Sequence, residues 1–236
     1  MPIKRRDFIK MSACASGATL ISAGCAGQAE LDSTGSDPIS RLQPMTGDVV
    51  PITDDERRER IEKARKLMRD NGLDAIYMEG GTGMKYFTGV NWWNSERMFG
   101  VVIPVKGEIA WVCPAFEEDR ARELIRFGND IRTWEEDEKP ARRVAEIFRD
   151  RGIRKGKIGI EERVRFFLYD NIRREAPLME YVSADPVTIG CRVIKSRSEL
   201  ALMQKAADCA FLARFHISTC RGTASPNTMV RLMSER

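Results

Sequence analysis

Between Thr53 and Ser183 the apolar pattern switches period again and again, and this alternation limits the possible folds more than any other feature. Thr53-Asp54-Asp55-Glu56 is a capping box, in which the threonine caps a helix start and the glutamate reaches back. Ile61, Ala64, Leu67 and Met68 follow on one helical face, and Gly72 ends the helix after Asn71. Residues 74–78 read as a short buried strand and Gly80-Gly81-Thr82-Gly83 as a loop. Residues 98–105 and 108–113 are β-rich runs joined at Lys106-Gly107, a hairpin signal. Helical patterns then cover 116–127, 140–151 and 165–175, the second opening on Pro140, a favoured first position. Strand patterns at 130–134, 157–160 and 179–183 alternate with them. The series predicts an α/β domain over 54–190. Its sheet is mixed but largely parallel, flanked by helices, with the hairpin as the antiparallel part.

Past Cys191 the pattern changes. Ser196-Arg197-Ser198-Glu199 is a second capping box. Leu200, Met203, Ala206, Ala207, Ala210 and Phe211 follow at helical spacing, to about Cys220. Gly222-Thr223 opens a turn, and Ser225-Pro226-Asn227 can start another helix. A helix pair after a finished α/β domain has no sheet of its own to cover. Residues 191–236 therefore read as a linker and the first helices of an incomplete further domain.

The N-terminus reads as an address. Lys4, Arg5 and Arg6 precede a mildly apolar run rich in Gly, Ser and Ala, the layout of a secretory signal over residues 1–29. Arg5-Arg6-Asp7-Phe8-Ile9-Lys10 resembles the twin-arginine export signal, departing from it at Lys4, where serine or threonine is usual. Ser22-Ala23-Gly24-Cys25 resembles a lipoprotein box, which would make Cys25 a lipid-anchored first residue; cleavage after Gly27-Gln28-Ala29 is the alternative. The expected destination is the periplasm or its membrane face. Residues 30–53 show no periodicity and read as a linker.

Composition closes several routes. At 42% apolar and 31% charged the chain is of ordinary globular make-up, and no stretch of 18 apolar residues suggests a spanning helix. The net charge of +4 comes from interleaved signs, 39 basic and 35 acidic, so no nucleic-acid partner is expected. A single histidine, His216, excludes any site needing two histidine ligands, and it reads as surface or core filler. No two of the six cysteines have C-x-x-C spacing, and outside the signal they read as buried thiols, with a disulfide neither shown nor excluded. The Gly80–Gly83 run is neither a Walker loop nor G-x-G-x-x-G, and no Gly-x-Ser-x-Gly elbow exists. Glu135-Glu136-Asp137-Glu138 and Glu161-Glu162 read as solvated loops, because consecutive carboxylates do not converge on one ion. The segment Asn91-Trp92-Trp93-Asn94-Ser95-Glu96-Arg97 stands out, since neighbouring tryptophans point to opposite sides and Trp with Arg is typical of contact surfaces. Core packing is its alternative reading.

Five stretches carry a resemblance. Tyr86-Phe87-Thr88-Gly89, Ser95-Glu96-Arg97 and the hairpin around Gly107-Glu108 resemble the N-terminal domain of the creatinase, prolidase and aminopeptidase P family. Arg192-Val193-Ile194-Lys195-Ser196, with Glu199, Met203 and Ala206, looks like that family's link into its pita-bread catalytic domain. Arg221-Gly222-Thr223 falls where the family has Pro-Gly-x-Thr, with the proline replaced. The resemblance implies a metal-dependent hydrolase of Xaa-Pro peptides, or a relative acting on creatine, ectoine or dimethylsulfoniopropionate. A stand-alone binding or assembly module is the third reading. The family holds two divalent ions, often manganese, through two aspartates, one histidine and two glutamates. None of these ligands can be placed on this sequence, because that domain is expected to lie almost wholly beyond Arg236. The resemblance also implies homodimers or tetramers in which Trp92, Trp93 and Arg97 help to shape a partner subunit's substrate site.

Overall fold

In the strand spanning Ala75–Glu79 all five residues are buried, although they alternate in direction. Ala75 and Tyr77 join one apolar cluster, while Ile76 and Met78 join another. A strand that is apolar on both sides needs cover on both, and the fold supplies it. The computed structural model describes residues 44–220, with side chains through 212. Arg5, Arg6, Phe8, Cys25 and the helix start expected near Pro226 lie outside the described residues. All the elements below, except the last residues of the final helix, belong to one unit, Pro44–Phe215.

In chain order the elements are α1 (Asp54–Asp70), β1 (Ala75–Glu79), α2 (Thr82–Thr88), β2 (Gly100–Pro104) and β3 (Ala110–Pro114). A 3-10 turn (Ala115–Glu117) leads into α3 (Glu118–Leu124) and β4 (Asp130–Trp134). Then come α4 (Pro140–Asp150), β5 (Lys157–Ile160), α5 (Phe166–Glu175), β6 (Glu180–Ser183), α6 (Asp185–Arg192) and α7 (Arg197–Cys220). The six strands form one sheet in the order β4-β3-β2-β1-β5-β6. The pairings β3–β4, β1–β5 and β5–β6 are parallel, whereas β1–β2 and β2–β3 are antiparallel. The sheet is thus mixed and mostly parallel. The expected hairpin joins β2 to β3, and its turn needs a glycine because Gly107 sits at φ 93°.

On one face of the sheet, α1 and α6 cover Ile76, Met78, Val101, Ile103 and Trp111 with Ile61, Ala64, Met68, Val187 and Cys191. On the other, α4 and α5 cover Tyr77, Val102, Val112 and Ile158 with Val144, Ile147, Phe148, Leu168 and Ile172. The two large buried indoles keep their N–H groups satisfied. Trp111 donates to Phe127 O at 2.7 Å and Trp134 to Met98 O at 3.0 Å. At the first capping box only the cap forms, with Thr53 Oγ1 accepting from Glu56 N at 3.2 Å while the Glu56 carboxylate turns to Arg60 and Ser196; the second box forms in full. Ser196 Oγ accepts from Glu199 N at 3.1 Å, and Glu199 Oε2 accepts from Ser196 N at 2.8 Å.

Three stretches differ from the sequence reading. The glycine run expected to be loop already enters a helix at Thr82, a seven-residue turn bounded by Gly81 and Gly89. The helix expected over 116–127 is shorter, because a 3-10 turn occupies its start and Ile125 is already extended. Helix α6 was not anticipated. Its aspartate and proline in the first turn are helix-start residues, but it is only eight residues long and holds Gly190.

Candidate functional site

The chain leaves α2 at Gly89 and reaches β2 at Gly100 through an irregular segment laid against the end of β1. A Cβ on Gly80 would stand 2.7 Å from Trp92 O and 2.8 Å from Asn94 Oδ1, so only a bare glycine admits the segment there. Trp92 and Trp93 part company. The Trp92 ring stacks on buried Phe99, centroids 3.8 Å apart and planes 6° apart, and packs against the α1/α6-side core. The Arg120 guanidinium lies 5.2 Å from the Trp92 ring centroid. Trp93 is 82% exposed. The alternation expected of adjacent tryptophans thus yields one anchoring ring and one free ring.

Arg97 is held from several sides. Its backbone N–H donates to Ser95 Oγ at 3.2 Å and its Nε donates to Glu136 Oε1 at 2.6 Å. A further ion pair joins it to Glu96, and its guanidinium lies 5.3 Å from the Phe116 ring centroid. The hydrogen bond to Glu136, then its charge, push the already high pKa of Arg97 higher. Phe116 is 65% exposed, so Trp93 and Phe116 offer apolar surface while Arg97, Glu96 and Glu136 set its polar border. The guanidinium already faces two carboxylates. An anionic group arriving here would have to exchange with one of them.

Two carboxylates, one that the sequence reading passed over and one that it placed in a solvated loop, are buried at the same end of the sheet. Glu79 closes β1 at 3% exposure, its Oε1 2.5 Å from Arg165 Nη2 and its Oε2 accepting from Arg165 N at 3.3 Å. An acidic residue ending an otherwise apolar run was the signal available for it. Glu161, expected in a solvated loop, is 3% exposed at the end of β5, while Glu162 is exposed. Burial pushes the Glu161 carboxyl above its usual range, against the lowering effect of the Arg163 N–H on Oε2 at 2.9 Å. Helix α2 passes directly over it, and a Cβ on Gly83 would come within 2.9 Å of Glu161 Oε1. Among the described residues no three His, Cys, Asp or Glu side chains gather as a metal site requires. The thiols of Cys113 and Cys191 are buried, and that burial raises them to about 12 and about 11, away from nucleophilic use.

The family model of the creatinase/prolidase N-terminal domain matches residues 60–194, more than half of the chain. The chain belongs to this family. The chain is 30% identical over 178 residues to an uncharacterised peptidase of Schizosaccharomyces pombe, covering 70% of this chain and 38% of that protein. Over 168 residues it is 26% identical to the ectoine hydrolase of Halomonas elongata, covering 66% of this chain and 42% of that one. In three dimensions it resembles the prolidase of Thermococcus sibiricus with a TM-score of 0.60 at 21% identity, over 67% of this chain and 42% of that one. At such identity the structural likeness establishes the fold. The chain spans about two fifths of the length of the curated relatives it matches.

Proposed function

We propose that this chain is the N-terminal, non-catalytic part of an exported metal-dependent hydrolase of the Xaa-Pro dipeptidase and aminopeptidase type. It shapes the substrate site and supports a dimer or tetramer. The observation that carries this reading is the family match over 60–194, which takes in the whole 91–97 segment with Trp93 open to solvent. In this reading Trp92 anchors the segment on Phe99, Trp93 lies against the substrate of a neighbouring subunit, and Arg97 holds the loop in register through Glu96 and Glu136. A rigid aromatic surface of this kind positions a substrate without touching a metal. Two divalent ions, manganese by the family resemblance, belong to the catalytic domain. The described residues of this chain do not fit such ions, because no three His, Cys, Asp or Glu side chains among them gather at one point. The twin-arginine run at Arg5, Arg6 and Phe8 supports export, and Cys25 supports a lipid anchor. A second reading keeps the family and changes the substrate, supported by the ectoine hydrolase among the relatives.

Fusing the chain at α7 to the catalytic half of the Thermococcus sibiricus prolidase tests the role. With manganese present, the fusion should hydrolyse a Gly-Pro dipeptide well above the isolated catalytic half. Equal rates for the two would remove the case for a site-shaping domain.

A further inference from the structure

Strands β5 and β6 lie side by side and parallel, yet the chain leaves them in opposite directions. After β5 it passes to α5 on the α4/α5 face, where Leu168 and Ile172 are buried. After β6 it passes to α6 on the α1/α6 face, where Val187 and Cys191 are buried. Neighbouring parallel strands whose connections part to opposite faces leave a crevice beyond their carboxyl ends, the place where open α/β sheets take ligands. A cavity of about 400 Å³ occupies this crevice.

Its lining has one sign of charge. The ionisable acids are Glu161 from the end of β5, Glu162 just after it and Asp185 from the start of α6, and no Lys or Arg lines the cavity. None of the three forms an ion pair among the described residues. Two of them hold an oxygen without a hydrogen-bond partner among the described residues. Glu161 is nine-tenths buried and more, with its Oε2 taking the Arg163 N–H and no donor reaching Oε1 among the described residues. Asp185 Oδ1 is buried with no hydrogen-bond partner among them. The amino ends of α5 and α6 also point this way, but each is worth only about half a positive charge and does not offset the exposed Glu162 together with its two acidic neighbours. Arg163 and Arg192 lie close enough to act on Glu161 without entering the lining.

The remaining wall combines the aliphatic Ile160, Val164 and Val182 with three aromatic rings. Phe166, Tyr169 and Tyr181 form a chain of rings with centroids 6.1 Å and 5.7 Å apart, and Phe166 is 74% exposed at the rim. The Tyr181 hydroxyl is occupied, donating to Ala176 O at 2.9 Å, so this residue offers its ring rather than its oxygen. Ring faces and carboxylates attract the same kind of group.

We infer that the β5/β6 crevice is a binding site for an organic cation with a flat or apolar body, such as an aryl amidinium or alkylammonium group. The inference goes beyond the proposed hydrolase role and does not depend on it, since no residue of the 91–97 segment lines the cavity. The carboxylates take the charge and the three rings take the body.

The test is a titration of the full chain with benzamidinium, followed by NMR at the Ser183 and Asp185 amides and the Tyr181 ring. Neutral, isosteric benzamide is the control. Saturable binding on the order of 1 mM or tighter is expected, with benzamide at least about tenfold weaker. Glu162→Gln and Phe166→Ala change exposed side chains and keep the fold, as circular dichroism verifies. Each should weaken benzamidinium several-fold, and Glu162→Gln combined with Asp185→Asn should weaken it about tenfold. Equal binding of benzamide, benzamidinium affinity unchanged in all the variants, or no saturation by about ten times the expected concentration would each overturn the site.

Discussion

Trp92 and Trp93 are adjacent in sequence and opposite in consequence. Removing Trp92 strips a ring stacked on Phe99 and backed by Arg120, so Trp92→Ala should cost about 2–3 kcal/mol of stability, read from the urea midpoint. Trp93→Ala removes a ring that is 82% exposed and should change stability by no more than about 0.5 kcal/mol. Equal losses at both positions would mean that Trp93 is packed and unavailable for contact. The sequence showed that the pair must face two ways, but not which ring faces inward. That depends on Phe99 and Arg120, seven and twenty-eight positions further on. Arg97 shows the same limit. From the sequence it is one of three residues expected to shape a substrate site, with no partner in view. Its partner Glu136 belongs to a run that reads as solvated and reaches it only because β4 returns beside β3. Glu161 was misread for the converse reason, as a carboxylate next to another looks solvated until α2 is laid over it.

At the scale of elements, a polar joint fixes α7 to the body of the domain. Arg60 is almost fully buried in α1. It donates to Glu56 Oε1 at 2.8 Å and to Tyr86 O at 3.0 Å, approaches Glu199 Oε1 at 3.3 Å and lies 4.1 Å from the Tyr86 ring centroid. Ser196 Oγ completes the joint by donating to Glu56 at 2.9 Å. A buried charge stripped of its partner is strongly destabilising, so Arg60→Ala should loosen the start of α7 while α4 and α5 keep their protection. Hydrogen exchange reads this directly: amides at 198–205 should exchange faster in the variant, and an unchanged pattern would show that α7 is held by other means. On the opposite face Asp130 ties β4 to α4, bonded by Arg132 at 3.0 Å and Arg151 at 2.8 Å. The Arg132 hydrogen bonds, outweighing burial and joined by the charge of Arg151, hold its carboxyl below the usual aspartate range. A folded pKa below the unfolded one gives stability that is present above the ordinary value and lost as pH falls through the folded one. Urea midpoints should therefore drop less between pH 6 and pH 3 in Asp130→Asn than in the wild type, and equal drops would contradict this. Both caps, the hairpin and all six strands were legible because their signals are local. Helices α2 and α6 were not, because each is a short element held by its packing on α1 rather than by its own periodicity.

At the scale of the whole molecule, the pattern of alternating elements was enough for the fold class, and five short stretches were enough for the family. The strand order was not readable, since it rests on which non-local pairs the sheet closes. The function is legible only as far as the family, and among the described residues no group of side chains gathers as a metal site would require. Titration of the chain with manganese should accordingly show no micromolar site, and a Gly-Pro dipeptide should remain uncleaved. Micromolar binding with turnover would overturn the division of labour proposed here. Export belongs to the same scale. Replacing Arg5 and Arg6 together by lysine keeps the charge but loses the guanidinium pair, and should retain the protein in the cytoplasm. Radiolabelled palmitate should mark Cys25 and not Cys25→Ser. Undiminished export of the lysine variant would refute the twin-arginine reading. The most direct measurement is kcat/KM for Gly-Pro of the fusion at α7, with and without Trp93→Ala. The account predicts a fall on the order of 100-fold, with manganese content and melting temperature unchanged. An unaltered kcat/KM in a fully folded Trp93→Ala fusion would contradict the claim that this domain shapes a substrate site.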